Sequence, residues 1–184
     1  LSAVTKQRFE RLLAGVMVAD QFGSSETGQV GGQPAPGNPH GPPRLRVDDT
    51  TAVFDDELRA VEPGSGTVGR LARGGRVPLR YHGHPEASAA TFVEVDGRRW
   101  ALPGDLATVD ADGAIEVLGR SSLCINTGGE KVFPDEVEAA IKGCEGVRDV
   151  VVVGVADPRW GQAVTAVLAP SAAGPPSLDA LRGA

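Results

Sequence analysis

Phe92-Val93-Glu94-Val95-Asp96-Gly97-Arg98-Arg99-Trp100 is the stretch that decides the fold. Two runs with strand-forming residues flank Asp-Gly, a dipeptide that tolerates the positive φ angles of a two-residue hairpin turn. The scheme recurs at Asp112-Gly113, ahead of Ala114-Ile115-Glu116-Val117-Leu118. Thr51–Phe54, Asp55-Asp56 and residues 57–61 read as a further hairpin, and residues 67–73 alternate like a strand. From about 51 to 118 the chain is therefore expected to be all β. The hairpins share turn chemistry only, with no internal repeat.

Toward the C-terminus the pattern changes after Gly119-Arg120. Val137, Ala140, Ile141 and Cys144 fall at i, i+3, i+4 and i+7, which predicts a helix. Pro134 opens it, and Asp135 and Glu136 suit its positive N-terminal end. Residues 150–155 form a continuous apolar strand and 163–168 another, so a βαββ unit with its own apolar faces is expected. Ser177 would cap a final helix from Leu178. Cys144 is read as a small core residue of its helix.

Toward the N-terminus, Phe9, Leu12, Leu13 and Val16 predict a helix, followed by a short buried strand at 16–19. The strand runs into polar, glycine-rich residues 20–28, and a strand ending in such a loop is where α/β sheets put their ligands. Residues 29–50, crowded with Gly and Pro, read as loop without periodicity. The expected class is mixed α/β.

Composition removes several functions. A hydrophobic share of 41% and a charged share of 23% describe an ordinary globular chain of 184 residues. A net charge of −6 and a pI near 5.1 suit neither a phosphate backbone nor an anionic membrane surface. No apolar run approaches the roughly 20 residues of a bilayer span, and no basic-then-apolar leader is visible at the start. A cytoplasmic location is expected, without nucleic-acid partners. Two cysteines make neither a disulfide framework nor a four-ligand zinc site. The chain starts at Leu1 rather than Met, which raises the expectation that it begins mid-protein.

Several motifs bear on chemistry. Gly64-Ser65-Gly66-Thr67-Val68-Gly69 fits G-x-G-x-x-G, but Pro63 precedes it and a strand pattern follows, so it reads as a turn. His82 and His84 could share a strand face, yet too few partners stand near for zinc. Phe22-Gly23-Ser24-Ser25-Glu26-Thr27-Gly28 is more telling. Small residues admit phosphate oxygens, hydroxyls donate to them, a carboxylate holds Mg2+ beside them, and an aromatic ring stacks on a base. Asp105, at a turn after Gly104, could hold a sugar diol. Thr127-Gly128-Gly129-Glu130-Lys131 reads as a tight turn.

Together and in this order, these pieces resemble the adenylate-forming superfamily, most closely the acyl-CoA synthetases. The likeness covers nearly the whole chain. It implies that Phe22 flanks the adenine of ATP or AMP, that Gly23 and Ser25 lie at its phosphate, and that Glu26 ligates Mg2+. Asp105 and Arg120 would bind the ribose hydroxyls. Gly119-Arg120, followed by Ile125, Gly129, Val132, Pro134 and Glu136-Val137-Glu138, is similar to the segment that joins the family's large and small domains. Residues 1–120 would then end the large AMP-binding domain, 121–122 the hinge with its pivot at Ser122, and 123–184 a truncated small α+β lobe. Gly128 and Gly129 would line the path of the pantetheine arm of coenzyme A.

The departures from the family pattern are local. Ala101-Leu102-Pro103 stand where an aromatic-Arg-Thr/Ser run is usual, Ser122 where the hinge is typically Asp or Lys, and Asn126 where some relatives have Lys. The family's Pro-Lys-Gly phosphate loop and its C-terminal Gly-Lys pair are not in this sequence, so the 184 residues alone are expected to be inactive. The implied activity is ATP-dependent conversion of a carboxylic acid to an acyl-adenylate, then transfer to coenzyme A. Two alternatives are an adenylation domain that loads a carrier protein and a non-catalytic nucleotide-binding or assembly module.

Overall fold

The structure, a computed structural model, describes residues 9, 11–13, 21–31, 44–45 and 48–183. It resolves into two compact units, Phe9–Ser121 and Ser122–Ala184, each described by itself.

The first unit is a β-rich body. β1 (Phe22–Ser24) and β2 (Gly28–Gly31) form an antiparallel ribbon. β3 (Arg44–Leu45), β4 (Thr51–Phe54), β5 (Gly69–Gly74), β6 (Phe92–Val95), β7 (Arg98–Ala101), β8 (Asp105–Val109) and β9 (Ile115–Arg120) make an antiparallel seven-stranded sheet. Its order is β3-β9-β8-β5-β7-β6, with β4 on β5. The β6–β7 turn takes φ of 52° at Asp96 and 71° at Gly97, the positive pair expected of Asp-Gly. The β8–β9 hairpin closes through Gly113 N–H to the Asp110 carbonyl, 2.9 Å, and Asp110 N–H to the Ala114 carbonyl, 2.8 Å. Leu45, Val53, Leu71, Ala107, Ile115 and Val117 pack into one buried cluster; Phe54, Ala72, Trp100 and Leu102 form another. In the latter Phe54 meets Trp100 edge to face at 5.1 Å.

Four expectations for this unit change or narrow. The section is not all β: helix α1 (Pro85–Thr91) interrupts it. Residues 51–61 form only a short hairpin: besides the Phe54–Ala60 bridge, Asp55 N–H donates to the Arg59 carbonyl at 2.9 Å and Val61 N–H to the Val53 carbonyl at 2.8 Å, while the longer ladder of β4 is with β5. Residues 29–50 are not all loop: they contain the end of β2 and the short β3, whose Leu45 is among the most buried side chains. His82 and His84 precede α1, exposed, instead of sharing a strand, and no group of three potential metal ligands exists among the described residues. The expected strand at 16–19 lies outside the described residues; of the first expected helix, Phe9, Arg11 and Leu12 are seen to be helical.

The second unit contains β10 (Ile125–Thr127), β11 (Glu130–Val132), α2 (Pro134–Lys142), β12 (Val147–Asp157), β13 (Gly161–Pro170) and α3 (Leu178–Arg182). Its sheet runs β11-β10-β13-β12, antiparallel throughout. Ile125, Ile141, Val150 and Val152 form the core. The apolar run at 150–155 is a strand, as expected, and buries one face: Val151, Val153 and Val155 alternate with the core residues and face outward, exposed. Cys144 lies beyond the end of α2 and is half-buried, not a core residue of the helix. Ser177 caps α3 as expected, its hydroxyl accepting from Ala180 N–H. No described helix is long and apolar enough to cross a membrane.

Gly128 and Gly129 make the two-residue turn between β10 and β11, at φ of 59° and 90°. A Cβ on Gly128 would sit 2.8 Å from the Trp160 ring, whereas one on Gly129 would meet open space. Gly128→Ala is expected to cost about 2 kcal/mol, positive-φ strain plus the displaced indole, and Gly129→Ala about 1 kcal/mol from strain alone. Denaturant unfolding of both variants checks this; equal costs would refute a contribution from Trp160.

Candidate active site

The site begins with the β1–β2 ribbon, which pairs Gly23 with Gln29 and Ser24 with Gly28. A Cβ on Gly23 would lie 2.3 Å from the Gly28 carbonyl oxygen, so only glycine lets the two arms close. At the tip, Ser24 Oγ accepts from Glu26 N–H at 3.2 Å and from Thr27 N–H at 3.3 Å, while Thr27 Oγ1 accepts from Ser24 N–H at 2.9 Å. These reciprocal bonds satisfy the turn's own backbone, a role suited to short hydroxyl side chains. Ser25 is left exposed. An open hollow of about 430 Å3 lies along the ribbon, lined by Phe22, Gly23, Ser24 and Ser25 on one arm and Gly28 and Gln29 on the other. Phe22 is half-buried and packs against the large apolar cluster, which fixes its ring from behind.

Glu26 does not hang free from the turn. Its Oε1 accepts a 2.8 Å hydrogen bond from the Tyr81 hydroxyl. That donor, followed by Ser24, holds the Glu26 carboxyl below its ordinary pKa. Tyr81 itself is pushed up, by burial and then by the carboxylate.

Asp105 and Arg120 face each other across β8 and β9 as register partners. Arg120 Nε lies 3.2 Å from Asp105 Oδ1. Asp105 is the one charged side chain fully buried among the described residues, and burial raises its pKa against the pull of Arg120. Gly104 delivers it at a φ of 97°, with its carbonyl accepting from Ser121 N–H at 2.8 Å. The charge of Arg120 acts chiefly on Asp105 and is the least of the influences on Glu26 and Tyr81, and Glu26 acts on Asp105. The fold thus gathers positions 26, 81, 105 and 120 into one electrostatic neighbourhood.

Residues 136–183 match the AMP-binding enzyme C-terminal domain. Over 183 residues the chain is 47% identical to the medium/long-chain-fatty-acid–CoA/3-oxocholest-4-en-26-oate–CoA ligase of Mycolicibacterium smegmatis, covering 98% of this chain and 33% of the relative. The chain belongs to the adenylate-forming, acyl-CoA ligase superfamily. Solved members of that superfamily agree in fold. ATP-bound MatB from Rhodopseudomonas palustris superposes with a TM-score of 0.81 at 27% identity, over 100% of this chain and 37% of MatB. The anthranilate CoA ligase AuaEII with anthranoyl-AMP gives 0.77 at 26%, over 100% and 34%. The chain spans about a third of the length of the ligases it matches.

Of the residues that the family resemblance singled out, the β-rich unit holds Phe22, Gly23, Ser25, Glu26, Asp105 and Arg120, and the second unit holds Ser122, Gly128 and Gly129. Tyr81 was not foreseen. It stands 55 positions from its partner, in a loop without local signal. Ala101 and Leu102, in place of the family's usual residues before Gly-Asp, are buried in the core.

Proposed function

We propose that this chain belongs to an AMP-forming acid–thiol ligase, which activates a carboxylic acid as its acyl-adenylate and passes the acyl group to coenzyme A. The single observation that carries the reading is the buried Asp105 paired with Arg120, whose charges act on and are acted on by Glu26 at the tip of the β1–β2 ribbon. A buried, raised carboxylate beside a guanidinium suits the ribose diol: Asp105 accepts from the hydroxyls and Arg120 donates to them. Phe22 offers a ring for the adenine, and Gly23 and exposed Ser25 leave room for phosphate. The name of the mycolicibacterial relative favours coenzyme A over a carrier protein as acceptor, and an apolar fatty or sterol-type acid as substrate.

Mg2+ fits the donor set. Glu26 has one oxygen committed to Tyr81, leaving the other as a single hard ligand, and no three-ligand cluster surrounds it among the described residues. One carboxylate plus nucleotide phosphates and water is how Mg2+ is commonly held. When bound, the ion would neutralise phosphate charge. Of the chain's own groups, Glu26 orients toward the phosphates, Phe22 fixes the base, and Asp105 with Arg120 fixes the sugar, so catalysis rests on positioning and charge stabilisation.

The domain limits of 1–120, 121–122 and 123–184 are part of the proposal, with a pivot at Ser122 that lets one nucleotide site serve two half-reactions. Ser121 is tied to Gly104, which leaves exposed Ser122 as the nearer free position. Gly129, whose outer side is open, suits the approach of a thin pantetheine arm; Gly128 owes its lack of a side chain to Trp160 as well.

In the ligase, Glu26→Ala is expected to lower adenylate formation about tenfold and to raise the Mg2+ requirement, as read by ATP–pyrophosphate exchange across a Mg2+ titration. An unchanged rate and Mg2+ curve would reduce Glu26 to a polar turn residue.

A further inference from the structure

We propose that Tyr81 is a positioning residue that holds the Glu26 carboxylate in its working orientation, an inference that rests on the reading of Glu26 given above. The Ser24-Ser25-Glu26-Thr27 turn satisfies its own backbone, and within it Ser24 reaches the Glu26 carboxyl, but the stronger hold on that side chain comes from outside the turn, from Tyr81. A free glutamate must surrender most of its rotamer freedom whenever it binds a ligand. The Tyr81 hydroxyl, at 2.8 Å from Oε1, fixes the carboxylate plane beforehand and leaves Oε2 as the available oxygen.

Tyr81 is itself held on several sides. Its backbone N–H donates to Ser88 Oγ at 2.9 Å, and His84 N–H reaches the Tyr81 carbonyl at 3.4 Å. Ser88 Oγ in turn donates to the His84 carbonyl at 2.6 Å. The ring packs on buried Phe92, 5.2 Å between centroids and tilted by 51°. α1, which supplies Ser88, buries no residue of its own, so core packing does not account for it. Its visible contribution is to clamp the backbone of Tyr81 through Ser88. A loop residue gripped in this way behaves as a rigid post, and the hydroxyl at its tip, on which Thr91 also acts, donates to Glu26.

The chain has a single tyrosine, so the Raman doublet that reports phenol hydrogen bonding belongs to Tyr81 alone. In the 184-residue chain the doublet should show a strong donor, and Glu26→Ala should shift it; an identical doublet in both would overturn the proposal. In the ligase, Tyr81→Phe keeps the ring on Phe92 and removes only the hydroxyl. The apparent Mg2+ constant for adenylate formation should rise about fivefold, with KM for the carboxylic acid and the melting temperature unchanged. Added to Glu26→Gln, it should have no further effect, since the two act as one unit. If Glu26→Gln shifts the Mg2+ constant and Tyr81→Phe does not, the positioning role is wrong while the reading of Glu26 stands. If neither shifts it, the reading of Glu26 has failed and the positioning role falls with it. Should Tyr81→Phe lower stability, Ser88→Ala serves instead: it loosens the post without touching the phenol and should raise the constant about twofold, and no rise would overturn the proposal.

Discussion

Replacing Asp105 by alanine is expected to weaken AMP binding by roughly 100-fold. Two ribose hydroxyls donating to one carboxylate make two charged hydrogen bonds, and at about 1.5 kcal/mol each their loss amounts to about 3 kcal/mol. Titration calorimetry with AMP reads this directly, and a change of less than about threefold would remove Asp105 from the nucleotide site. Asp105→Asn separates binding from folding. Burial lifts the Asp105 carboxyl above its ordinary pKa despite Arg120. The sign follows: its contribution to stability is fully present below the ordinary carboxylate range and is lost as pH rises through the raised value. Once ionised, Asp105 therefore works against the fold, and neutral asparagine of the same shape should leave unfolding free energy equal or higher while affinity for AMP falls. Urea unfolding at neutral pH checks it; a clear loss of stability would mean that the Arg120 pair, not desolvation, dominates there.

Ser122→Pro is expected to divide the two half-reactions. Proline fixes φ near −65° and removes a donor, so a residue that must change conformation between two steps would be trapped in one. Adenylate formation, followed by pyrophosphate exchange, and thioester formation, followed from preformed acyl-adenylate, should then differ in their losses by roughly tenfold or more. An equal fall in both, or none in either, would end the assignment of the pivot to Ser122.

Sequence alone revealed those parts of the fold that depend on local chemistry. Asp96-Gly97 and Asp112-Gly113 announced their hairpins, and Gly128-Gly129 a tight turn, because few residues accept the positive φ found at Asp96, Gly97, Gly113, Gly128 and Gly129. Pro134 with two acids behind it announced α2. What escaped was structure without an apolar signature. α1, Pro-Glu-Ala-Ser-Ala-Ala-Thr, has no buried face and so no periodicity, although Pro85 at its start was an available cue. β3 was missed because two residues carry no pattern, and in β12, read as a strand, an unbroken run of valines hid which of them face the core. At the site, the β1–β2 tip, Asp105 and Arg120 were legible as motifs. Tyr81 was not, since a contact over 55 positions leaves nothing to read at either end.

The two tryptophans give this chain a property unrelated to nucleotides. Trp100 is buried against Phe54 in the β-rich unit, and Trp160 stands 47% exposed over Gly128 in the other. Each unit thus carries one indole fluorophore, and the two differ in the polarity each one senses. Trp100, buried, is expected to emit further to the blue and to be shielded from aqueous quenchers, and Trp160, exposed, to emit to the red and to be open to them. Melting of either unit can therefore be timed in the intact, unlabelled chain by selective quenching, a spectroscopic means of asking whether the two units unfold as one or in sequence.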